Sequence, residues 1–103
     1  MPKTKKWELQ PQEQEGCYMF CGKMYVTRGV NESVPIADIM QMVLEVKQRV
    51  SDNNGADYLQ VFKSSSEDKI YILDQLDRIM KDGQPKEWID ENDYFTVLFA
   101  HEY

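Results

Sequence analysis

Histidine is almost absent from this chain, and cysteine and glycine are scarce. The sequence contains one histidine, two cysteines and five glycines. A single histidine, His101, cannot supply the paired ligand clusters that structural zinc sites use. The few glycines form neither a phosphate-binding loop nor a tight elbow around a nucleophile. These shortages exclude most familiar catalytic and metal-binding arrangements, so we expect no catalytic residue, no metal and no cofactor.

Long apolar runs and an excess of positive charge are also missing. No stretch approaches the roughly 18 consecutive apolar residues of a membrane helix, and the polar opening lacks the apolar core of a signal peptide. We therefore expect a cytoplasmic protein that does not bind membranes. Twelve basic against eighteen acidic residues give a net charge of −6. Because binding to a phosphate backbone depends on cationic side chains, we expect no contact with duplex nucleic acid.

What the chain does have is the composition of a globular domain. Hydrophobic residues make up 42% and charged residues 29% of its 103 residues, which fits one hydrophobic core. Residues 1–16 are polar and show neither a helical nor a strand period, so we predict a flexible N-terminal arm there. Trp7 is the exception in this arm. We expect it to dock on its own domain or to be exposed, with a contact to a partner as the alternative. Residues 17–103 then form a single α+β domain.

One long amphipathic helix is the clearest predicted element. Pro35 suits the first turn of a helix, because the N–H that proline lacks would have no partner there. Apolar residues then recur at intervals of three and four, namely Ile36, Ile39, Met40, Val43, Val46 and Val50. Residues 53–55 are Asn-Asn-Gly, which is typical of a helix end. We expect one face of this helix to pack on a sheet.

Short runs of β-forming residues predict that sheet. They are a strand that starts at Cys17 and bulges at Gly22, the runs 57–62 and 69–73, a strand that starts at Trp88, and the final run 94–103. A polar turn joins the second and third of these runs, so we expect them to pair antiparallel. Residues 27–33 indicate a loop and residues 90–93 a turn. Residues 72–80 also carry a helical stripe, and there we expect a strand that turns into a short helix. The predicted fold is a four- or five-stranded, mainly antiparallel sheet packed against one long helix.

The two cysteines predict ordinary thiols. Cys17 and Cys21 would bind zinc only with two further ligands, for which His101 and Glu102 are the candidates, and the second paired cluster of a structural zinc site is missing. Residues four apart on an extended strand are separated by roughly 13 Å, which is too far for a disulfide unless the chain bends sharply near Phe20. His101 itself we interpret as a packed or solvent-edge residue.

Three polar residues form a candidate structural or interaction group: Arg28, Gln60 and Glu102. Arg28 lies beside Gly29 at the entry to the helix, where a guanidinium can bind carboxylates bidentately. We expect an internal salt bridge from Arg28 to Glu102 or Asp57, and ligand binding is the alternative. Gln60 lies between two apolar residues of a strand. Its amide must find partners if that face is buried, and otherwise it faces solvent.

Four segments in this order and spacing carry a family resemblance: Thr27–Val30, Asp57–Phe62, Trp88–Asp90 and Leu98–Tyr103. They resemble an uncharacterised family of small Gram-positive bacterial proteins catalogued as domain of unknown function 960. The resemblance runs from about Met24 onward and implies a compact α+β domain in a bacterial cytosol, often encoded near phage or conjugative-element genes. It implies no activity, substrate or cofactor. The family pattern carries an acidic residue where this chain has His101, which argues against a catalytic role for that histidine.

These observations predict a non-enzymatic interaction module, an accessory protein of a Gram-positive bacterium or of its mobile elements. Exposed sheet edges and the aromatic strands 58–62 and 94–99 would contact an unknown protein partner or a second copy. An acidic protein that mimics nucleic acid and binds a DNA-handling enzyme is the first alternative, since residues 67–93 include nine acidic and four basic residues. An enzyme with a pocket around Arg28 and Glu102 is the last.

Overall fold

A five-stranded sheet backed by one long helix organises the chain. The structure is a computed structural model that describes residues 7–12, 14–64 and 68–103. In these ranges the strands are β1 (Trp7–Leu9), β2 (Lys23–Val26), β3 (Leu59–Ser64), β4 (Lys69–Asp74) and β5 (Tyr94–Phe99). The helices are α1 (Arg28–Ser33), α2 (Ile36–Asn53), α3 (Arg78–Lys81) and α4 (Lys86–Asn92), and a short 3-10 helix spans Ala100–Glu102.

The sheet is mixed, with strand order β1-β3-β4-β5-β2. Strands β1, β3, β4 and β5 pair antiparallel along this order, whereas β2 pairs parallel with β5. The predicted α+β fold and the antiparallel pairing of β3 with β4 are therefore confirmed, with one parallel strand at the edge. Parallel neighbours need a long connection between them. Here the chain from β2 to β5 includes both α1 and α2.

The long helix is confirmed as α2. It begins directly after Pro35 and is capped at its C-terminal end by Asn54, whose φ of 56° is left-handed and whose N–H donates to the carbonyl of Val50. The buried residues lie at helical spacing: Ile39, Met42, Val43, Val46 and Val50. They share one core with the inner-face residues of the strands, among them Phe62, Ile70, Ile72, Phe95 and Val97. Burial of these apolar side chains is the main stabilising contribution to the fold.

Trp7 belongs to this core, with 6% of its surface exposed. It lies opposite Ser64 in the pairing of β1 with β3. The expectation that Trp7 docks on its own domain is confirmed. The prediction of an arm without a strand is wrong for Trp7–Leu9, because the buried indole and the pairing with β3 fix this segment on the sheet. Residues 1–6 and 13 of the predicted arm lie outside the described residues.

The predicted first strand starts later than expected. Phe20 has a left-handed φ of 51°, so the chain turns there and regular pairing begins at Lys23. Tyr18 contributes only isolated bridges to Ala56 and Asp77. A turn at Phe20 replaces the predicted bulge at Gly22.

Helix α1 occupies the predicted loop 27–33. The hydroxyl of Thr27 accepts a hydrogen bond from the N–H of Val30 at 3.3 Å, which caps the first turn. Val30 is fully buried, and Val34, one turn later, is 5% exposed. In the sequence, Thr27 as a capping residue and the apolar pair of Val30 and Val34 are the features that indicate a short helix here.

Helix α4 replaces both the predicted strand at Trp88 and the predicted turn 90–93. Pro85 precedes it, and Lys86 Nζ lies 2.8 Å from Asp90 Oδ2, four residues on. Helix entry after proline and the pairing at this spacing outweigh the β propensity of Trp88 and Ile89. Strand β4 ends at Asp74 and the short helix α3 follows, as the strand-to-helix reading of residues 72–80 predicts. The final strand was predicted to run over residues 94–103. It ends at Phe99, and the 3-10 helix Ala100–Glu102 follows it.

Candidate interaction surface

The two faces of the sheet differ because side chains alternate along each strand. The inner face packs against α2. The opposite side, which we call the outer sheet face, is formed by Glu8, Lys23, Tyr25, Leu59, Val61, Lys63, Lys69, Tyr71, Leu73, Tyr94, Thr96 and Leu98. All of these side chains except Leu98 are half-buried or exposed. The inner face of the sheet is thus buried, and the outer sheet face is partly exposed to solvent.

The strand register assembles apolar rows on the outer sheet face. Tyr71 of β4 lies opposite Val61 of β3 on one side and opposite Leu98 of β5 on the other. Leu73 likewise lies between Leu59 and Thr96. Side chains directly opposite each other on one face are in contact range. The first row is therefore an apolar strip across three strands, and the second is an apolar strip across β3 and β4 that ends at the polar Thr96.

Two tyrosine pairs border these strips. The rings of Tyr25 and Tyr94 meet edge to face, with centroids 5.0 Å apart. Those of Tyr71 and Tyr103 do the same at 5.5 Å. Edge-to-face contact orients the rings, while the Tyr25 and Tyr103 side chains remain exposed. The outer sheet face therefore presents oriented aromatic groups to solvent.

A groove lies at the β3–β4 end of the outer sheet face. Its volume is about 340 Å³. Gln10, Pro11, Gln12 and Gln14 form one wall, and the remaining lining includes Asp57, Tyr58, Leu59, Val61, Lys69 and Tyr71. The groove thus combines apolar and aromatic side chains of the sheet with the charged residues Asp57 and Lys69 and the glutamines of its wall.

The wall of the groove is tied to the sheet through Gln60. The N–H of Gln10 donates to the carbonyl of Val61 at 2.8 Å. The side-chain oxygen of Gln12 accepts from the N–H of Asp57 and from Nε2 of Gln60, both at 3.0 Å. These bonds hold the segment that follows β1 in place, so the groove has a fixed wall.

Gln60 is buried, with 1% of its surface exposed, and its amide is satisfied on both sides. Its oxygen accepts from Arg49 Nη1 at 2.6 Å, and its Nε2 also donates to the carbonyl of Asp57 at 2.9 Å. Of the two positions expected for Gln60, the structure therefore confirms the buried one, in which the amide finds hydrogen-bond partners. Burial lowers the pKa of Arg49, but a guanidinium titrates so far above neutrality that it stays charged. Gln60 consequently receives a charge-assisted hydrogen bond.

The outer sheet face is locally basic in an acidic chain. Lys23, Lys63 and Lys69 lie on it, and Glu8 is the one acidic residue among the strand positions described on this face. Glu8 lies directly opposite Lys63. The net charge of the whole chain is −6. The acidic residues are thus concentrated elsewhere, and sequence reasoning missed this segregation although strand alternation places the lysines on one face.

Arg28 and Glu102 lie near each other but do not pair. Arg28 Nε donates to Glu32 Oε2 at 2.9 Å, and the Arg28 side chain is 89% exposed. The predicted internal salt bridge of Arg28 does form, but its partner is Glu32, one helical turn further along α1, and the suggested partners Glu102 and Asp57 are wrong. Glu102 Oε1 instead accepts from Thr27 Oγ1 and from the N–H of Phe99, both at 2.8 Å. The N–H of Phe99, then the hydroxyl of Thr27, lower the pKa of the Glu102 carboxyl.

The three candidate polar residues therefore serve separate contacts. Gln60 joins β3 to α2, Arg28 pairs within α1, and Glu102 joins the 3-10 helix to the start of α1. His101 is exposed and stacks on Phe99 with ring centroids 5.2 Å apart. Cys17 and Cys21 are free thiols. Within the described ranges, no group of three or more His, Cys, Asp or Glu residues is placed to hold a metal ion.

Comparisons with known proteins add no relative. No protein-family model, curated protein or solved structure matches this chain at a significant level. In the part of the chain that the structure describes, none of the helices combines the length and the apolar character needed to cross a membrane.

Proposed function

We propose that this chain is a non-enzymatic interaction module whose outer sheet face binds an extended, acidic segment of a partner protein. The observation that supports this most directly is a sheet face of apolar strips and tyrosines, bordered by lysines, on a chain of net charge −6. A partly exposed apolar face with a polar border is typical of interaction sites.

The apolar part of the surface supplies the binding free energy. Leu59, Tyr71 and Leu73 are half-buried, and a partner that covers them removes apolar area from water. Tyrosine is enriched at protein interfaces because its ring packs and its hydroxyl forms hydrogen bonds. The groove beside Tyr58 gives room for one side chain of the partner. A short extended segment fits this arrangement better than a large rigid surface.

The charge of the surface selects the kind of partner. Lys23 and Lys69 are exposed on the outer sheet face, so acidic side chains of a partner would meet opposite charge there. The rest of the chain is acidic and would repel acidic partners elsewhere. Complementary charge therefore directs an acidic segment to this face. In keeping with the resemblance of the four segments, we place this activity in the cytosol of a Gram-positive bacterium or in its mobile elements.

The alternative functions have less support. Of the acidic residues in segment 67–93, Asp74 and Asp93 are buried and Asp77 caps α3, which leaves fewer carboxylates for a surface that mimics nucleic acid. Glu67 lies outside the described residues. Arg28 is exposed and paired with Glu32, so it does not enclose a pocket with Glu102.

Selection from a library of short random peptides tests the proposal. The expected sequences combine acidic and apolar or aromatic residues, and their binding is measured by fluorescence polarisation with the selected peptide as probe. Leu73→Asp should abolish binding, because it places a charge in the central apolar strip. Lys69→Glu should weaken binding by about tenfold and remove most of its dependence on salt.

Two exposed positions of α2 provide matched controls. Leu44→Asp and Lys47→Glu repeat the same changes on a helix surface, where Leu44 is 58% exposed. They should leave peptide binding unchanged. If these α2 variants lose binding while the variants of the outer sheet face retain it, the proposed surface is wrong. Selection of basic peptides, or tight binding of single-stranded nucleic acid instead, would contradict the proposed partner.

A further inference from the structure

The outer edge of β2 carries backbone groups that β5 does not bind. Strand β2 is the last strand of the sheet, and it pairs on one side only, with β5. The N–H groups of Lys23 and Thr27 donate to carbonyls of segment 93–97 at 3.2 and 3.0 Å. In a paired strand every second residue bonds to the same neighbour. Met24 and Val26 therefore direct their N–H and C=O groups away from β5.

These outward groups have no partner in the described ranges. No described residue forms a hydrogen bond with the N–H or the C=O of Met24 or Val26. Tyr25, which lies between them, is 49% exposed. Sheet edges are usually protected by charged residues, prolines or a covering element. Residues 24–26 contain neither a charge nor a proline, so this edge can accept another strand.

The edge is complementary to a second copy of itself. In an antiparallel pair, two opposite residues that face each other's backbone exchange both of their hydrogen bonds. If Met24 lies opposite Val26 of the second copy, a two-fold axis passes beside Tyr25 and repeats the pair. Every unpartnered group then finds a partner. The half-buried Met24 and Val26 side chains, which pack against the core, meet on the inner side, and the Tyr25 rings meet on the outer side.

Opposite charges complete this fit at the two ends of β2. Lys23 begins the strand, and Glu102 lies at its other end, where Glu102 Oε1 accepts from Thr27 Oγ1 at 2.8 Å. The Lys23 and Glu102 side chains are both exposed. The antiparallel register places Lys23 opposite Thr27 of the second copy, and therefore near the carboxylate that Thr27 binds. Because each copy supplies both the cation and the anion, the charges favour a second copy as the occupant of this edge.

We propose that two copies of this chain pair antiparallel along β2 and form a reversible homodimer. The contact joins the two five-stranded sheets into one continuous sheet. Only one short strand of each copy takes part, so the interface is small and the dimer exchanges with the monomer. A two-fold axis closes this contact at two copies. The β2 edge lies at the other end of the sheet from the groove at β3 and β4, so the dimer does not depend on peptide binding.

Sedimentation equilibrium under reducing conditions measures the dissociation constant of the dimer. As the concentration of the chain increases, the average mass should rise from that of one chain toward that of two. Lys23→Glu should raise the dissociation constant by about tenfold, because it places a second carboxylate near Glu102 at both ends of the contact. Lys69→Glu makes the same change on β4, and Leu44→Asp adds a charge to α2, where Leu44 is 58% exposed. Both controls should leave the dissociation constant unchanged.

Disulfide cross-linking tests the register of the two strands, with Cys17→Ser and Cys21→Ser in every variant. Tyr25 lies opposite Tyr25 of the second copy in a pair without ladder hydrogen bonds, where Cα atoms are about 4.5 Å apart, within reach of a disulfide. Tyr25→Cys should therefore form a covalent dimer under mild oxidation. Lys23→Cys should remain a single chain in non-reducing electrophoresis, because its counterpart lies at the far end of the paired strand, roughly 13 Å away.

Three results would overturn the homodimer along β2. The first is the mass of one chain at every concentration, and the second is an equal yield of covalent dimer from Tyr25→Cys and Lys23→Cys. The third is a dimer that Leu44→Asp dissociates and Lys23→Glu preserves, since its contact would lie on α2. Loss of peptide binding to the outer sheet face, with the dimer intact, would contradict the proposed function alone.

Discussion

Replacement of Gln60 by leucine tests whether this residue is structural. Leucine has a similar volume, so the change removes polar contacts without opening a large cavity. Three hydrogen bonds disappear: one from Arg49 at 2.6 Å, one to Gln12 at 3.0 Å and one to the carbonyl of Asp57 at 2.9 Å. Arg49 loses its partner in a partly buried place, where burial lowers its pKa.

The expected loss follows from these contacts. A bond from a charged donor contributes about 1.5–3 kcal/mol and each neutral bond about 0.5–1.5 kcal/mol. Burial of a leucine in place of an amide offsets roughly 1–2 kcal/mol of this loss. Gln12 and Asp57 can regain hydrogen bonds from water, since neither is fully buried. We therefore expect Gln60→Leu to lower the free energy of unfolding by about 2–3 kcal/mol.

Urea denaturation followed by circular dichroism measures this change. With a slope of about 1.5 kcal/mol per molar urea, the midpoint should fall by roughly 1.3–2 M. Gln48→Leu is the matched control, because Gln48 is exposed and makes one surface bond to Asp52 at 2.9 Å. That control should stay within about 0.5 kcal/mol of the parent. A Gln60→Leu chain that is equally close to the parent would refute the structural role assigned to this amide.

Three further changes probe other parts of the fold. A Cβ on Gly22 would lie 2.3 Å from the backbone oxygen of Asp93, so Gly22→Ala should lower the free energy of unfolding by about 2–4 kcal/mol. Gly83 has open space around it, so Gly83→Ala should cost only about 1 kcal/mol. Equal losses of the two variants in urea denaturation would contradict the close contact at Gly22. Trp7→Ala should cost about 3 kcal/mol in the same assay, and a loss below about 1 kcal/mol would mean that β1 is not docked. Burial, opposed by the N–H of Phe20, raises the pKa of Asp74 above 3.8. The folded chain therefore holds this proton more tightly, and the stabilising contribution of Asp74 is complete below pH 3.8 and declines as the pH rises through the folded pKa. The destabilisation by Asp74→Asn should shrink as the pH rises from about 3.5 to 7, and a destabilisation that grows over this range would show the opposite shift.

Local patterns were enough to predict the parts of the fold that local contacts decide. The apolar spacing from Ile36 to Val50 fixes α2, and the polar turn between β3 and β4 fixes their antiparallel pairing. Strand alternation also predicts which residues share a face, which gives the outer sheet face once the strands are known. Asp74 could have been placed on the inner face in this way, since it follows Ile70 and Ile72 at the same period.

Contacts between distant segments decided the rest. The parallel pairing of β2 with β5 joins segments that no turn connects, so no local signal announces it. For Trp88, β propensity pointed to a strand, while the preceding proline and the spacing of Lys86 and Asp90 pointed to the helix that forms. The contact of Lys81 with Cys21 depends on the turn at Phe20. A left-handed phenylalanine is too rare to be expected from sequence.

The position of β5 between β4 and β2 also determines the order in which the chain can assemble. Strand β5 is the last of the five along the chain, yet it holds β2, the second, in the sheet. A nascent chain can form the β3–β4 hairpin early, but β2 stays unpaired and one side of β4 stays open until Tyr94–Phe99 has left the ribosome. Cooperative closure of the core therefore waits until β5 has been synthesised and can pair with both neighbours.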